Sequence, residues 1–146
     1  MFYGAEWADV PALTAAYPGI ASPRDAYSAL QSCWSKETCA PRYREEWSES
    51  NPTLGQCSIT AFLIQDIFGG RVYGVPLPGG GVHCYNVVGT CVFDTTSEQF
   101  GNTVLSYENN PEQCRAEHFS SAEKHARYEL LRTRLQAVCT KNPSQK

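Results

Sequence analysis

Hydrophobic positions recur with helical spacing near both ends and in the middle of the chain, and they alternate in one segment between. The first helical pattern follows Ser22-Pro23-Arg24-Asp25, where Ser22 suits an N-cap, Pro23 the first helical position and Asp25 a variant of the capping box. A helix is predicted over residues 22 to about 34, with Tyr27, Leu30 and Trp34 at i, i+3 and i+7 on one core-facing stripe. The middle pattern, residues 56–68, is apolar nearly all round through Ile59, Phe62, Leu63, Ile64 and Ile67. It predicts a buried helix that stops at Gly69-Gly70. The last, residues 120–138, places Tyr128, Leu131, Leu135 and Val138 on one stripe with charges opposite.

Residues 71–75 read as a strand, 76–81 as a Pro/Gly loop, and Val82–Val88 with 91–95 as a hairpin about Gly89-Thr90. The polar connection over 35–54 holds Trp47 and the Asn51-Pro52 turn signal, and it is long enough to wall a cleft. Residues 97–100 predict a short turn or helix and 101–117 a polar loop. Residues 1–21 predict an irregular lead-in or a short helix around 7–17, and 140–146 a disordered tail. These elements predict one α+β domain, in which a buried helix packs on a small antiparallel sheet with further helices at both ends.

Composition agrees with a single domain. At 146 residues the chain buries roughly 70% of its unfolded surface without staples, and 42% hydrophobic with 18% charged residues is ordinary for a globular protein. A net charge of −3 gives no electrostatic footprint for nucleic acid or anionic membrane. The C-terminal basic cluster of Lys124, Arg127, Arg132 and Arg134 reads as a solvated helix face. The N-terminus has neither a basic start nor an unbroken apolar run, so the expectation is a cytoplasmic protein without signal peptide or membrane span. Seven cysteines without Cys-x-x-Cys disfavour a disulfide framework and a zinc ribbon. Most are expected to be reduced core residues, and were the chain exported without a signal, Cys33 and Cys39 would be the pair to suspect. No metal and no cofactor is expected, since Cys33, Cys39, Cys84, Cys91 and Cys114 lack ligand spacing.

The candidate chemistry lies in Gly55-Gln56-Cys57-Ser58, which places one thiol at a helix start, followed in chain order by His83 and Asp94. A helix N-terminus favours thiolate over thiol, and its backbone N–H groups suit an oxyanion. A thiol nucleophile also needs a base to take its proton and a carboxylate to orient that base. With a two-residue turn at Gly89-Thr90, Val88 faces Cys91, Val87 faces Val92, Tyr85 faces Asp94 and His83 faces Thr96. His83 and Asp94 then share a face as diagonal neighbours. The same register separates Cys84 from Cys91 too far for a disulfide and makes both packing residues. Gln56 and the Cys57 amide are candidates for an oxyanion hole. Trp47 and Asn86 are candidates for substrate positioning, Asn86 being also a fallback orienting residue whose parity favours a structural hydrogen bond instead. His118 and His125 read as surface residues.

Trp34-Ser35-Lys36-Glu37-Thr38, Trp47, Asn51-Pro52, Gly55-Gln56-Cys57 with Thr60-Ala61, Gln65-Asp66, Phe68-Gly69-Gly70, His83 with Asn86, Asp94 with Thr96 and Gln99-Phe100 form an ordered set. With Arg127-Tyr128-Glu129-Leu130-Leu131, it is similar to the bacterial YunG-like family over about residues 27–136. That resemblance implies a papain-like or transglutaminase-like domain whose Cys-His-Asp triad falls, position by position, on Cys57, His83 and Asp94. The aromatic pair usual after the histidine is Cys84-Tyr85 here, and a leucine common after the aspartate is Thr95; both bear on pocket shape and leave the reacting groups in place. The resemblance names no substrate.

The expectation is thus a thiol-dependent hydrolase or acyltransferase that forms an acyl-enzyme on an amide, ester or thioester, taking a small molecule or a peptide or protein amide. The competing expectation is a non-catalytic binding module, and paired thiols would give a third, redox role.

Overall fold

Why the central apolar segment forms the hub is clear in the computed structural model, which describes residues 1–141. Helix α2 (Cys57–Phe68) buries Ile59, Thr60, Ala61, Phe62, Leu63, Ile64, Ile67 and Phe68, so most of its circumference is packed, with Asp66 left exposed. One side meets β1 (Arg71–Pro76) and β2 (Val82–Val88); the other meets α1 (Pro23–Leu30) and α4 (Ala122–Lys141). A short third strand, β3 (Cys91–Phe93), and a one-turn helix, α3 (Arg115–His118), complete the α+β architecture. The sheet is antiparallel throughout in the order β1-β2-β3. Among the described residues no helix is long and apolar enough to cross a membrane.

Two clusters make the core. The larger joins Leu30 of α1, and Cys33 and Trp34 just after it, with Ile59, Leu63, Ile64 and Ile67 of α2, Leu131 and Leu135 of α4, and Phe93 of β3. The smaller lies between α2 and the sheet and contains Ala61, Phe62, Val72 and Cys84, with Cys57 packed against it.

The predicted local signals have structural counterparts at α1, where the Asp25 carboxylate accepts the Ala21 and Ser22 amides at 2.9 and 3.1 Å. The helix stops at Leu30 rather than near 34, and Trp34 reaches the core from the turn beyond it, donating its indole N–H to Thr60 Oγ1 at 2.9 Å. α4 extends through Lys141, past the expected start of the disordered tail; the rest of that tail, 142–146, lies outside the described residues.

The basic cluster of α4 is not the solvated face expected. Arg127 is buried, pairing with Glu123 at 2.7 Å and donating to the Thr38 carbonyl at 3.2 Å. Arg134 donates to the Cys33 carbonyl and Ser35 Oγ at 3.1 and 2.6 Å. These arginines satisfy carbonyls of the irregular 33–38 segment, which has no regular structure in which to pair them.

The lead-in is less peripheral than its sequence implies. Phe2, Ala5 and Ala8 are buried, Ala5–Trp7 forms a single 3-10 turn, and Tyr3 makes an isolated antiparallel bridge to Asp94. Gly4 permits that approach: its φ is +87°, and a Cβ there would lie 2.6 Å from the Val92 carbonyl oxygen. Backbone contact at that range admits no side chain. We expect Gly4→Ala to lower unfolding free energy by about 2 kcal/mol or more, combining left-handed strain with overpacking, as read from the urea midpoint at unchanged m-value.

Candidate active site

Cys57 is the first residue of α2, so the amides of its turn precede the first intrahelical bond, from the Thr60 N–H to the Gln56 carbonyl at 3.1 Å. Gly55, with φ +71°, supplies the turn into the helix, and the Ala40 N–H donates to its carbonyl at 2.9 Å. A Cβ on Gly55 would meet Cys39 Sγ at 2.6 Å. This close approach brings residues 40–43 alongside the helix start.

The hairpin register is the one predicted as far as it runs: Val88 faces Cys91, Val87 faces Val92 and Asn86 faces Phe93. There the ladder ends, two residues short of the predicted strand end. Asp94 gives its backbone N–H to the Tyr3 carbonyl at 3.0 Å, and its Oδ1 accepts the Thr96 amide at 3.2 Å. That side-chain-closed turn leads into the 3-10 helix Ser97–Phe100 instead of extending the sheet. The diagonal relation survives the departure: His83 Nε2 donates to Asp94 Oδ2 at 2.6 Å, with both side chains 1% exposed.

Asp94 is held by more than the histidine. Thr96 Oγ1 donates to Oδ1 at 3.3 Å and Tyr107 Oη donates to Oδ2 at 2.7 Å. Tyr107 comes from the segment read as a featureless loop. It stacks on Tyr3 at 4.1 Å between centroids and meets Tyr85 edge-on at 4.9 Å. Nothing in the local pattern around residue 107 marks it, because its partners are distant in sequence. Phe100 sets its ring at 84° to the His83 imidazole, 4.7 Å away, and shields it.

With Nε2 committed to Asp94, His83 Nδ1 is buried without a conventional hydrogen-bond partner and is the nitrogen left for Cys57. Burial lowers the imidazole pKa, but the Asp94 carboxylate and then the Cys57 thiolate outweigh it and raise the value to about 10. The Cys57 thiol is held well below its ordinary range, first by the Cys84 S–H donating to its thiolate, against burial, and then by the His83 imidazolium. Cys84 moves the opposite way because the neighbouring thiolate keeps its proton in place. Cys84 therefore packs in the core and also touches the candidate nucleophile.

The supporting candidates fare differently. Gln56 is fully buried and donates Nε2 to the Ser35 carbonyl at 3.0 Å, tying the 35–54 connection to α2, while its Oε1 is buried without a hydrogen-bond partner. Asn86 donates to the Ala61 carbonyl at 2.9 Å inside the helix–sheet interface, as strand parity favoured. Trp47 donates to the Pro52 carbonyl at 2.9 Å and lines a separate depression with Trp34 and Glu49. All three donate to backbone carbonyls: Gln56 and Trp47 to those of the irregular 35–54 connection and Asn86 to one within α2.

A cavity of about 620 Å³ opens onto Cys57 and His83. Pro41, Tyr43 and Leu54 form one wall, so the 35–54 connection does flank a cleft, and Leu77, Val82 and Phe100 add apolar surface. His118, expected at the surface, lines this cavity instead; Arg115 on the same helix bonds Asp66 at 2.8 Å and pins α3 against α2. All seven cysteines are free thiols, with Cys33, Cys39, Cys84 and Cys139 buried.

A family model described as YunG protein matches residues 22–140. "Uncharacterized protein YunG" of Bacillus subtilis (strain 168) is 35% identical over 82 residues, covering 56% of this chain. The chain spans 65% of the length of that relative. No solved structure matches the chain. The family match contains Cys57, His83, Asp94 and Tyr107 and leaves out the lead-in that carries Tyr3 and Gly4.

The opposed shifts fix a pH dependence. The depressed Cys57 pKa keeps thiolate present at neutral pH, lost only as pH falls through that lowered value; the raised His83 pKa keeps imidazolium present until pH rises through about 10. With the exposed Cys114 replaced by alanine so that it does not contribute, thiolate ultraviolet absorbance should therefore change little between about pH 7 and 9, where an ordinary cysteine of pKa ~8.5 titrates. His83→Ala and Cys84→Ala should each move the Cys57 titration upward toward that ordinary range. A Cys57 transition near pH 8.5 in the unmodified chain would contradict the ion pair.

Proposed function

We propose that this chain, which belongs to the YunG protein family, is a thiol-dependent acyl-transfer enzyme that cleaves an amide, ester or thioester through a covalent intermediate. The observation that carries the reading is the alignment of Cys57 at a helix start, His83 beside it, and a buried Asp94 bonded to the far nitrogen of His83 at 2.6 Å. A thiol that only packs needs none of these neighbours.

The chemistry follows from the groups' charge states. Cys57 Sγ attacks the acyl carbon, and the carbonyl electron pair moves onto oxygen, where the Cys57 backbone N–H at the start of α2 stabilises it. As the tetrahedral species collapses, the bond to the leaving group breaks and that group takes the His83 proton, leaving a thioester on Cys57. The neutral His83 then accepts a proton from water or an amine attacking the thioester, and the C–S bond breaks to restore the thiolate. Asp94 keeps the imidazole oriented and balances its charge, while Tyr107 and Thr96 keep Asp94 from turning away. A papain-like or transglutaminase-like architecture belongs to the same proposal, supported by a nucleophile on a helix start and a histidine on a facing strand.

An active ester provides the test. One equivalent of p-nitrophenol should be released rapidly from p-nitrophenyl acetate, with the acetyl group found on Cys57 by peptide mass. Cys57→Ser should abolish the burst, and His83→Ala should slow it on the order of a hundredfold or more. No acylation of Cys57, together with alkylation by iodoacetamide no faster than that of free cysteine, would leave the non-catalytic binding module as the reading.

A further inference from the structure

The cavity beside Cys57 is lined by Arg42, His118, Lys124 and Arg127 and by no aspartate or glutamate, in a chain whose net charge is −3. Basic groups are segregated here against the balance of the whole molecule. Arg127 is already met by Glu123 at 2.7 Å. Arg42 and Lys124 are in no ion pair with a carboxylate among the described residues.

Each of those two cations is placed by a neighbour. The Arg42 guanidinium lies over the Tyr43 ring at 4.9 Å, and a Cβ on Gly81 would lie 3.1 Å from its terminal nitrogen. It thus spans the mouth from the 40–43 turn to the 77–81 loop. Lys124 is half-buried, and its Nζ donates to His118 Nδ1 at 2.9 Å, while His118 Nε2 donates to Gln113 Oε1 at 2.9 Å. An ammonium has only donors, so Nδ1 is the acceptor and His118 is the neutral tautomer carrying hydrogen on Nε2. Burial and the Lys124 charge both act to keep it neutral. The chain Gln113, His118, Lys124 therefore holds one full positive charge at the cavity with donors to spare. A half-buried ammonium without an anion is costly to maintain. The Asp94–His83–Cys57 set carries one net negative charge when all three are ionised, yet among the described residues no hydrogen bond or ion pair joins it to Lys124 or Arg42: the Lys124 ammonium donates to His118 and the Asp94 carboxylate is held by His83 and Tyr107.

We propose that the cavity takes an acyl substrate bearing a carboxylate on an apolar body, with Lys124 and Arg42 as its recognising residues and His118 as the positioning residue for Lys124. The proposal rests on the acyl-transfer reading of Cys57 and adds the substrate's charge to it. The planar fork of Arg42 and the ammonium of Lys124 match a planar oxygen pair. Leu54, Leu77, Val82 and Phe100 receive the apolar portion, in a volume suited to a small molecule or a few residues of a flexible chain.

Paired alkylating reagents test the charge directly. Iodoacetate and iodoacetamide form the same C–S bond with the Cys57 thiolate and release the same iodide, so their rate ratio cancels thiolate content and reports the anion's attraction alone. In the unmodified chain that ratio should exceed the ratio for free cysteine on the order of tenfold at low salt, and fall as salt is added. Lys124→Gln, Arg42→Gln and His118→Ala should each lower it about threefold or more. A ratio equal to that of free cysteine, or one that none of the three substitutions changes, overturns the anionic substrate while fast iodoacetamide labelling leaves the thiol reading intact. Iodoacetamide labelling no faster than that of free cysteine overturns both.

Discussion

A carboxylate withdrawn from water has to be met by donors on nearly every side, and the Asp94 side chain imposes that requirement on everything around it. Its donors come from separate pieces of the chain: His83 from β2, Thr96 from the turn after β3, and Tyr107 from the following loop, while Tyr3 accepts its backbone amide. Satisfying one buried charge thus fixes the relative positions of a strand, a turn, a loop and the N-terminal segment. The same His83 imidazolium also faces Cys57, so one cation lies between two anions and the set of carboxylate, imidazolium and thiolate keeps one net negative charge. Asp94 organises the site first as a solvation problem, and its orienting of His83 follows from the solution.

What was legible in the amino-acid pattern is what short-range geometry determines. The helix start at Cys57 follows from Gly55 and an apolar run, and the hairpin pairing follows from Gly89-Thr90 and strand alternation, so Cys57, His83 and Asp94 are locatable without a structure. The strand's end was not, because the Asp94 side chain competes with the ladder for the Thr96 amide and Tyr3 takes the place of a sheet neighbour. Polar residues near the site were the least readable. Gln56, Asn86 and Trp47 have the chemistry of substrate contacts, but each is committed to a carbonyl of nearby irregular or buried backbone. Tyr107 and His118 are placed by tertiary packing alone, the first by stacking on Tyr3 and the second by the anchoring of α3 through Arg115.

The distribution of arginines repeats one theme. Arg127 and Arg134 fold inward from α4 to serve carbonyls of the 33–38 segment, and Arg115 serves the Phe62 carbonyl and the Asp66 carboxylate near the far end of α2. In Arg127 and Arg134 a long guanidinium reaches past a helix surface to pair carbonyls that regular structure would have paired itself. That lets an irregular connection of some twenty residues run beside Cys57 with carbonyls of its first turn paired, and the cleft wall owes its shape to those side chains.

The bridge from Tyr3 to Asp94 gives the site a kinetic character. Tyr3 and Asp94 are joined only after the chain has closed a loop of most of its length, and such long closures are entropically slow to form and are among the contacts that set folding time. The α2 helix and the hairpin can form from neighbouring residues well before that closure. Without that closure Cys57 has its helix but lacks the fully anchored carboxylate that charges its partner His83. The lowered pKa of the Cys57 thiol is a property of the finished tertiary structure, complete when the first residues of the chain come to rest against the middle.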